Sequence, residues 1–198
     1  MTIADRCAAF ARAFPGIPAA HFWMVKEQGR DVAYARWLLG NNYRSRMKFY
    51  GEYPPHFLER IMALFPDVTE GSDILHVFSG SLPPGNYHRL DVNAALKPDY
   101  VGSVYDCASL AGRDWTLILA DPPYSIEDAK KYGTPMIDRR KTLAALAEAI
   151  APHGHLCYLD TCWPMHRKDQ WTTVARVAIT RSTNHRTRDL TIFQRSAA

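Results

Sequence analysis

Apolar positions recur at helical spacing over residues 5–14 and again over residues 21–39, where Phe22, Val25, Val32, Ala35, Leu38 and Leu39 share a face. Two amphipathic helices are predicted there, separated by Pro15, Gly16 and Pro18. Pro55 suits the first turn of a third helix that runs to Phe65. Beyond residue 72 the pattern changes to short apolar runs bounded by turn residues, at 74–78, 87–92, 100–105, 116–120 and 155–160, with a final pair at 173–180 and 189–194. These runs read as strands. Among them lies one clear helix over 136–151, with Leu143, Leu146, Ala147 and Ile150 on one face and Pro152, His153 and Gly154 to stop it. Strands buried on both sides and separated by crossovers belong to an α/β fold with a largely parallel sheet. The expected organisation is a single domain over residues 1–198, with a helical extension over 1–72 and a sheet core over 73–195.

A chain of 198 residues suits one core. Its 47% hydrophobic and 22% charged content excludes a disordered chain. No apolar run reaches the roughly 18–20 residues of a membrane span, so no membrane partner is expected. The N-terminus carries Asp5, Arg6 and Arg12 among its apolar residues, unlike a secretory signal, which places the protein in the cytoplasm. Cys7, Cys107, Cys157 and Cys162 form no CxxC pair and no His cluster joins them, so free thiols and no metal site are expected. The net charge of +4 admits an anionic partner without requiring one.

Ligands of a parallel sheet gather beyond the carboxyl ends of its strands, so the candidate chemistry is whatever follows each strand. The first strand leads into Phe78-Ser79-Gly80-Ser81, small residues that let a ligand approach the backbone. The second ends at Asp91, which suits the hydroxyls of a ribose or else caps a turn. The third delivers Asp106 and Cys107. The fourth ends in Asp121-Pro122-Pro123-Tyr124, the most specific feature of the chain. Two prolines remove two backbone donors and hold φ at about −65°, which leaves rigid carbonyls free to accept. An Asp oxygen and a proline carbonyl can together take both hydrogens of one planar amino group, and Tyr124 offers a ring on which a base can stack.

This ordered set resembles the class I S-adenosylmethionine-dependent methyltransferases, in particular those that methylate the exocyclic amine of adenine or cytosine in DNA. The resemblance covers residues 53–194. It implies a Rossmann-like, mostly parallel sheet whose last strand is antiparallel, and S-adenosylmethionine lying over Phe78, Ser79, Gly80 and Ser81. It further implies Asp91 on the ribose, Asp106 and Cys107 near the adenine, and Tyr53 in the segment that touches the methionine end. Asp121, Pro122, Pro123 and Tyr124 are the implied catalytic residues, with adenine N6 in DNA ahead of an RNA base or another planar amine. A cofactor-binding protein without catalysis is the alternative from a different class.

Two departures from the family stand out. His76 occupies the position, two before Phe78, where the family carries an acidic residue. Ser81-Leu82-Pro83-Pro84-Gly85 leads straight into the next strand, without the roughly dozen residues a parallel crossover takes. The first crossover helix is therefore missing or shortened, and an N-terminal helix is expected to cover the face it leaves bare. Residues 125–135, with Ser125, Lys130 and Tyr132, should wall the substrate side; Trp163 either lines the pocket or packs in the core. The turn between the last two strands brings His185, Arg186 and Arg188 to the carboxyl edge, either as a solvated turn or against phosphates. Arg44, Arg46 and Lys48 form a second basic cluster with the same two readings, and Arg139, Arg140 and Lys141 at a helix start hint at an anionic contact. Nucleic acid is the expected partner, DNA ahead of RNA. Residues 1–72 and a few loops leave little chain to read a target, so loose sequence preference, a homodimer or a separate specificity partner is expected.

Overall fold

The structure, a computed structural model, describes residues 1–40, 53–69, 73–181 and 184–196, the last stretch without the side chains of 184–186. Thr2 and Asp5 cap each other reciprocally and open α1 (Ile3–Ala13). The second predicted helix is not a helix. Residues 21–39 form a β-hairpin of β1 (Trp23–Glu27) and β2 (Arg30–Leu39). Its two-residue turn, Gln28-Gly29, has φ of 49° and 80°, the pair of positive values that lets a tight hairpin follow the strand twist. In β2 the alternate residues Ala33, Ala35, Trp37 and Leu39 are buried, a period of two rather than 3.6. The extension is therefore part helix and part sheet. The third predicted helix is α2 (Phe57–Leu64).

The remaining strands are β3 (Ile74–Val77), β4 (His88–Asp91), β5 (Tyr100–Val101), β6 (Trp115–Ala120), β7 (Ile150–Asp160), β8 (Trp171–Arg181) and β9 (Asn184–Arg195). Helices α3 (Cys107–Leu110), α4 (Ile126–Lys131) and α5 (Arg139–Ala149) lie between them. Chain continues from α5 directly into β7, so the proline, histidine and glycine expected to stop the helix lie inside a strand. The sheet has nine strands in the order β1-β2-β8-β9-β7-β6-β3-β4-β5. Strand β9 runs antiparallel to β7 and β8, and every other pairing from β2 to β5 is parallel. From β8 to β5 this is a Rossmann-like, mostly parallel sheet with its last strand reversed, as expected. The β1–β2 hairpin extends it at the β8 edge.

On one face, Phe10 of α1, Phe57, Ile61 and Leu64 of α2, and Phe65 just past its end pack with Trp37, Leu117, Leu119, Cys157 and Ile192 of the sheet. On the other, Cys107 of α3 and Leu143, Leu146 and Ala147 of α5 pack with Leu75, Val77, Ile118, Leu156 and Tyr158. No helix joins β3 to β4. The N-terminal helices cover much of the face thus left open, as the shortened connection led us to expect, and the part over His76 is closed by rings. Tyr53 and Tyr87 lie edge-on to His76, at 5.6 and 4.6 Å between centroids. The proline-stiffened return is fastened by buried Arg89, which donates to the carbonyls of Leu82 (3.2 Å) and Lys97 (3.0 Å) and pairs with Asp99. Among the described residues no helix is long and apolar enough to cross a membrane.

Candidate active site

Strands β3, β4, β6, β7 and β8 are parallel, so their carboxyl ends share one edge. The turn after β3 has Phe78 and Gly80 at positive φ, 57° and 53°. For Phe78 this is a conformation that side chains rarely adopt, and such strain gathers at functional turns. The turn folds onto the end of β4. The Gly80 N–H donates to Asp91 Oδ2 at 2.8 Å and the Asn93 N–H donates to Oδ1 at 2.9 Å. Both carboxylate oxygens are thus aimed and each keeps a lone pair for a further donor. Among the described residues the hydroxyls of Ser79 and Ser81 are buried with no partner. A buried unsatisfied hydroxyl is costly and is relieved by a water or by a ligand group. A strand-end carboxylate beside a turn with two orphaned hydroxyls fits the ribose half of S-adenosylmethionine.

Asp106 is exposed at the start of α3 and its side chain caps nothing. Cys107 is fully buried in the core on the α5 side, and burial pushes its thiol up to about 12. Its side chain is a packing element, which leaves Asp106 as the polar group of that pair. Two residues the sequence reading passed over flank this region: Val92 directly follows Asp91 and Tyr105 directly precedes Asp106, and both are exposed. Large apolar side chains left in water beside acidic residues are the signal that could have found them. In the segment expected at the methionine end, the Tyr53 hydroxyl shares a hydrogen bond of 3.1 Å with His76 Nδ1. Burial pushes His76 down to about 3, so this ring is neutral and supplies no carboxylate-like charge.

The tetrapeptide follows β6. Asp121 is raised to about 6 by burial, which outweighs the Arg188 charge and the Tyr124 hydrogen bond that lower it. The Tyr124 hydroxyl donates to Asp121 Oδ1. Burial and then the Asp121 charge raise the Tyr124 phenol well above its ordinary value. Arg139 does not wait for an external anion. It holds Asp160, the fully buried carboxylate ending β7, at 2.6 and 3.0 Å, and donates to the Tyr124 carbonyl at 3.3 Å. One bidentate pair thereby ties the tetrapeptide to the neighbouring strand end.

The other substrate-side residues divide. Arg188 of β9 reaches the site, its guanidinium carbon 5.0 Å from the Tyr124 ring centroid. Ser125 caps α4 by accepting from the Asp128 N–H at 3.1 Å, Lys130 is exposed on that helix, and Tyr132 ends it. Trp163 does not pack in the core; it is exposed and lies over Arg176, 4.1 Å from ring centroid to guanidinium carbon. The supposed basic loop over 181–188 is mainly strand, since Thr180 pairs with Thr187 and Ile179 with Arg188. The side chains of His185 and Arg186, and the cluster of Arg44, Arg46 and Lys48, lie outside the described residues.

No protein-family model matches this chain, and no curated protein matches it in sequence. Among solved structures it is similar to TrmN from Thermus thermophilus, with 11% identity and a TM-score of 0.49 over 70% of this chain and 48% of that one. It is also similar to the CurJ carbon methyltransferase, with 12% identity and a TM-score of 0.42 over 70% of this chain and 53% of that one. The chain spans about half the length of either protein.

Proposed function

We propose that this protein is an S-adenosylmethionine-dependent N-methyltransferase acting on an exocyclic amino group of a nucleobase, with adenine N6 in DNA as the first candidate. The observation that carries the reading is the placement of Asp121-Pro-Pro-Tyr at the end of β6, one strand from the Phe78–Ser81 turn that neighbours Asp91. Asp91 and the hydroxyls of Ser79 and Ser81 would hold the adenosine half of the cofactor, and Asp106 with Tyr105 and Val92 would flank its base. Bound there, S-adenosylmethionine supplies an electrophilic methyl group on a sulfonium.

The chain's own residues prepare the nucleophile. An exocyclic nitrogen has its lone pair delocalised into the ring and attacks poorly until its hydrogens are held out of plane. Asp121 and the Pro122 carbonyl accept those hydrogens, Pro123 keeps the turn rigid, and Tyr124 stacks on the base. Taking up that methyl group would leave the held nitrogen with one proton to shed. Asp121, at about 6, is ionised at neutral pH and can accept the proton that the amine then sheds. A duplex target must flip its base, at a cost of a few kcal/mol. Nucleic acid as partner, and a homodimer or separate specificity subunit, belong to the same proposal.

Labelled cofactor offered with duplex DNA, single-stranded DNA and RNA tests it. Label in DNA is expected; label in RNA alone would move the substrate class, and none in any would sink the reading. Asp121→Ala is expected to abolish transfer while S-adenosylhomocysteine still binds, because Asp121 serves the amine and Asp91 the cofactor.

A further inference from the structure

Two groups that the proposed substrate needs, the Asp121 acceptor and the Tyr124 ring, are already engaged inside the chain. The Tyr124 hydroxyl donates to Asp121, the acceptor meant for the amine. The Tyr124 ring carries the Arg188 guanidinium, at 5.0 Å from the centroid. A guanidinium is planar and stacks on aromatic faces much as a base does, so a base arriving on that face must displace it. Arg188 is only partly satisfied where it sits, drawn to the Asp121 carboxylate but short of a full set of hydrogen bonds. Among the described residues its Nη1 is buried with no hydrogen-bond partner, and a second cation, Arg181, depressed first by burial, is also close enough to be depressed by the Arg188 charge. A seated arginine with an orphaned donor and a like charge nearby leaves readily once an acceptor is offered. A nucleotide brings such an acceptor together with its base, namely its phosphate, whereas a free nucleoside does not.

We propose that Arg188 is a placeholder in the base site, which yields the Tyr124 ring to a base and then binds the phosphate attached to it. The site thereby admits nucleotides within a strand and disfavours free nucleosides. This rests on the nucleobase reading above and adds to it the phosphate requirement and the residue that imposes it.

The test is titration calorimetry with S-adenosylhomocysteine present, using deoxyadenosine and a short single-stranded oligonucleotide as probes, on the wild-type chain, Arg188→Met and Arg188→Lys. Arg188→Met is expected to bind deoxyadenosine about tenfold more tightly, the equivalent of one lost competing contact. It is expected to bind the oligonucleotide about tenfold more weakly, with the salt slope reduced by about 0.7, the value of one phosphate contact on a single strand. Arg188→Lys keeps the charge without the planar fork, so it should gain on the nucleoside and largely retain the oligonucleotide, and it serves if the methionine variant folds poorly. Weakening of both probes together, or no change in either, would overturn the placeholder. Wild-type protein that methylates no nucleic acid would instead overturn the functional reading on which it rests.

Discussion

Asp121 is asked to be ionised in a place that disfavours charge, and the conflict should be measurable as stability. Burial raises its carboxyl from an ordinary 3.8 to about 6 even with Arg188 and Tyr124 acting in the opposite direction. The folded state therefore holds this proton more tightly than the unfolded chain. Between about pH 4 and pH 6 the unfolded chain gives up the proton first, so stability falls as pH rises through that window, and above it the whole penalty is present. At about 1.4 kcal/mol per pH unit the penalty is at most about 3 kcal/mol. Asp121→Asn keeps the shape and the acceptor for Tyr124 but removes the charge. It should stabilise the protein at pH 8 by up to that amount, a rise of several degrees in Tm for a chain of this size at about 2–4 °C per kcal/mol. At pH 4, where wild-type Asp121 is protonated in the folded state, the gain should largely vanish. Urea denaturation of both proteins at the two pH values is the assay. A variant no more stable than wild type at pH 8, or equally stabilised at pH 4, would refute the reasoning.

Three further outcomes are expected. The acid limb of kcat/KM should lie near pH 6 in the wild type and move upward in Arg188→Met, because the cation that lowers Asp121 is gone; a limb that stays in place would separate the two residues. Arg139→Met leaves the buried Asp160 carboxylate unpaired and should cost about 3–5 kcal/mol in urea denaturation, while Arg139→Met with Asp160→Leu should recover most of that loss. A double variant as unstable as the single one would show that the pair is not the source. His76 is held near 3 by burial and stays neutral, so calorimetry of S-adenosylhomocysteine from pH 5 to 8 should give parallel profiles for wild type and His76→Gln. A proton-linked change in affinity that the variant abolishes would contradict this.

The parallel strands were legible because each is a short apolar run closed by a polar or small residue, and the candidate site was legible because those closing residues fall along one edge of the sheet. The hairpin of β1 and β2 was misread for a specific reason. Val32, Ala35, Leu38 and Leu39 satisfy helical spacing by coincidence, whereas from Ala33 onward the buried residues alternate as Ala33, Ala35, Trp37 and Leu39 with Leu38 exposed, and Gln28-Gly29 was the turn signal left unused. Arg139 was misjudged because its partner, Asp160, lies 21 positions away and meets it only once β7 stands beside β6. Likewise, nothing local to Arg188 announces Tyr124; the antiparallel insertion of β9 between β7 and β8 brings them together. His76 was recognised as a departure, but its burial between Tyr53 and Tyr87 depends on the missing crossover helix, which no neighbouring residue encodes.

Mass spectrometry of nucleosides, after incubation of the full chain with S-adenosylmethionine and mixed nucleic acids, tests the central claim most directly because it identifies both the substrate and the methylated atom. The wild type should yield a base methylated on its exocyclic nitrogen, N6-methyldeoxyadenosine first, and Asp121→Ala should yield none. Methylation of a ring carbon, or an undiminished yield from Asp121→Ala, would contradict the role given to the tetrapeptide.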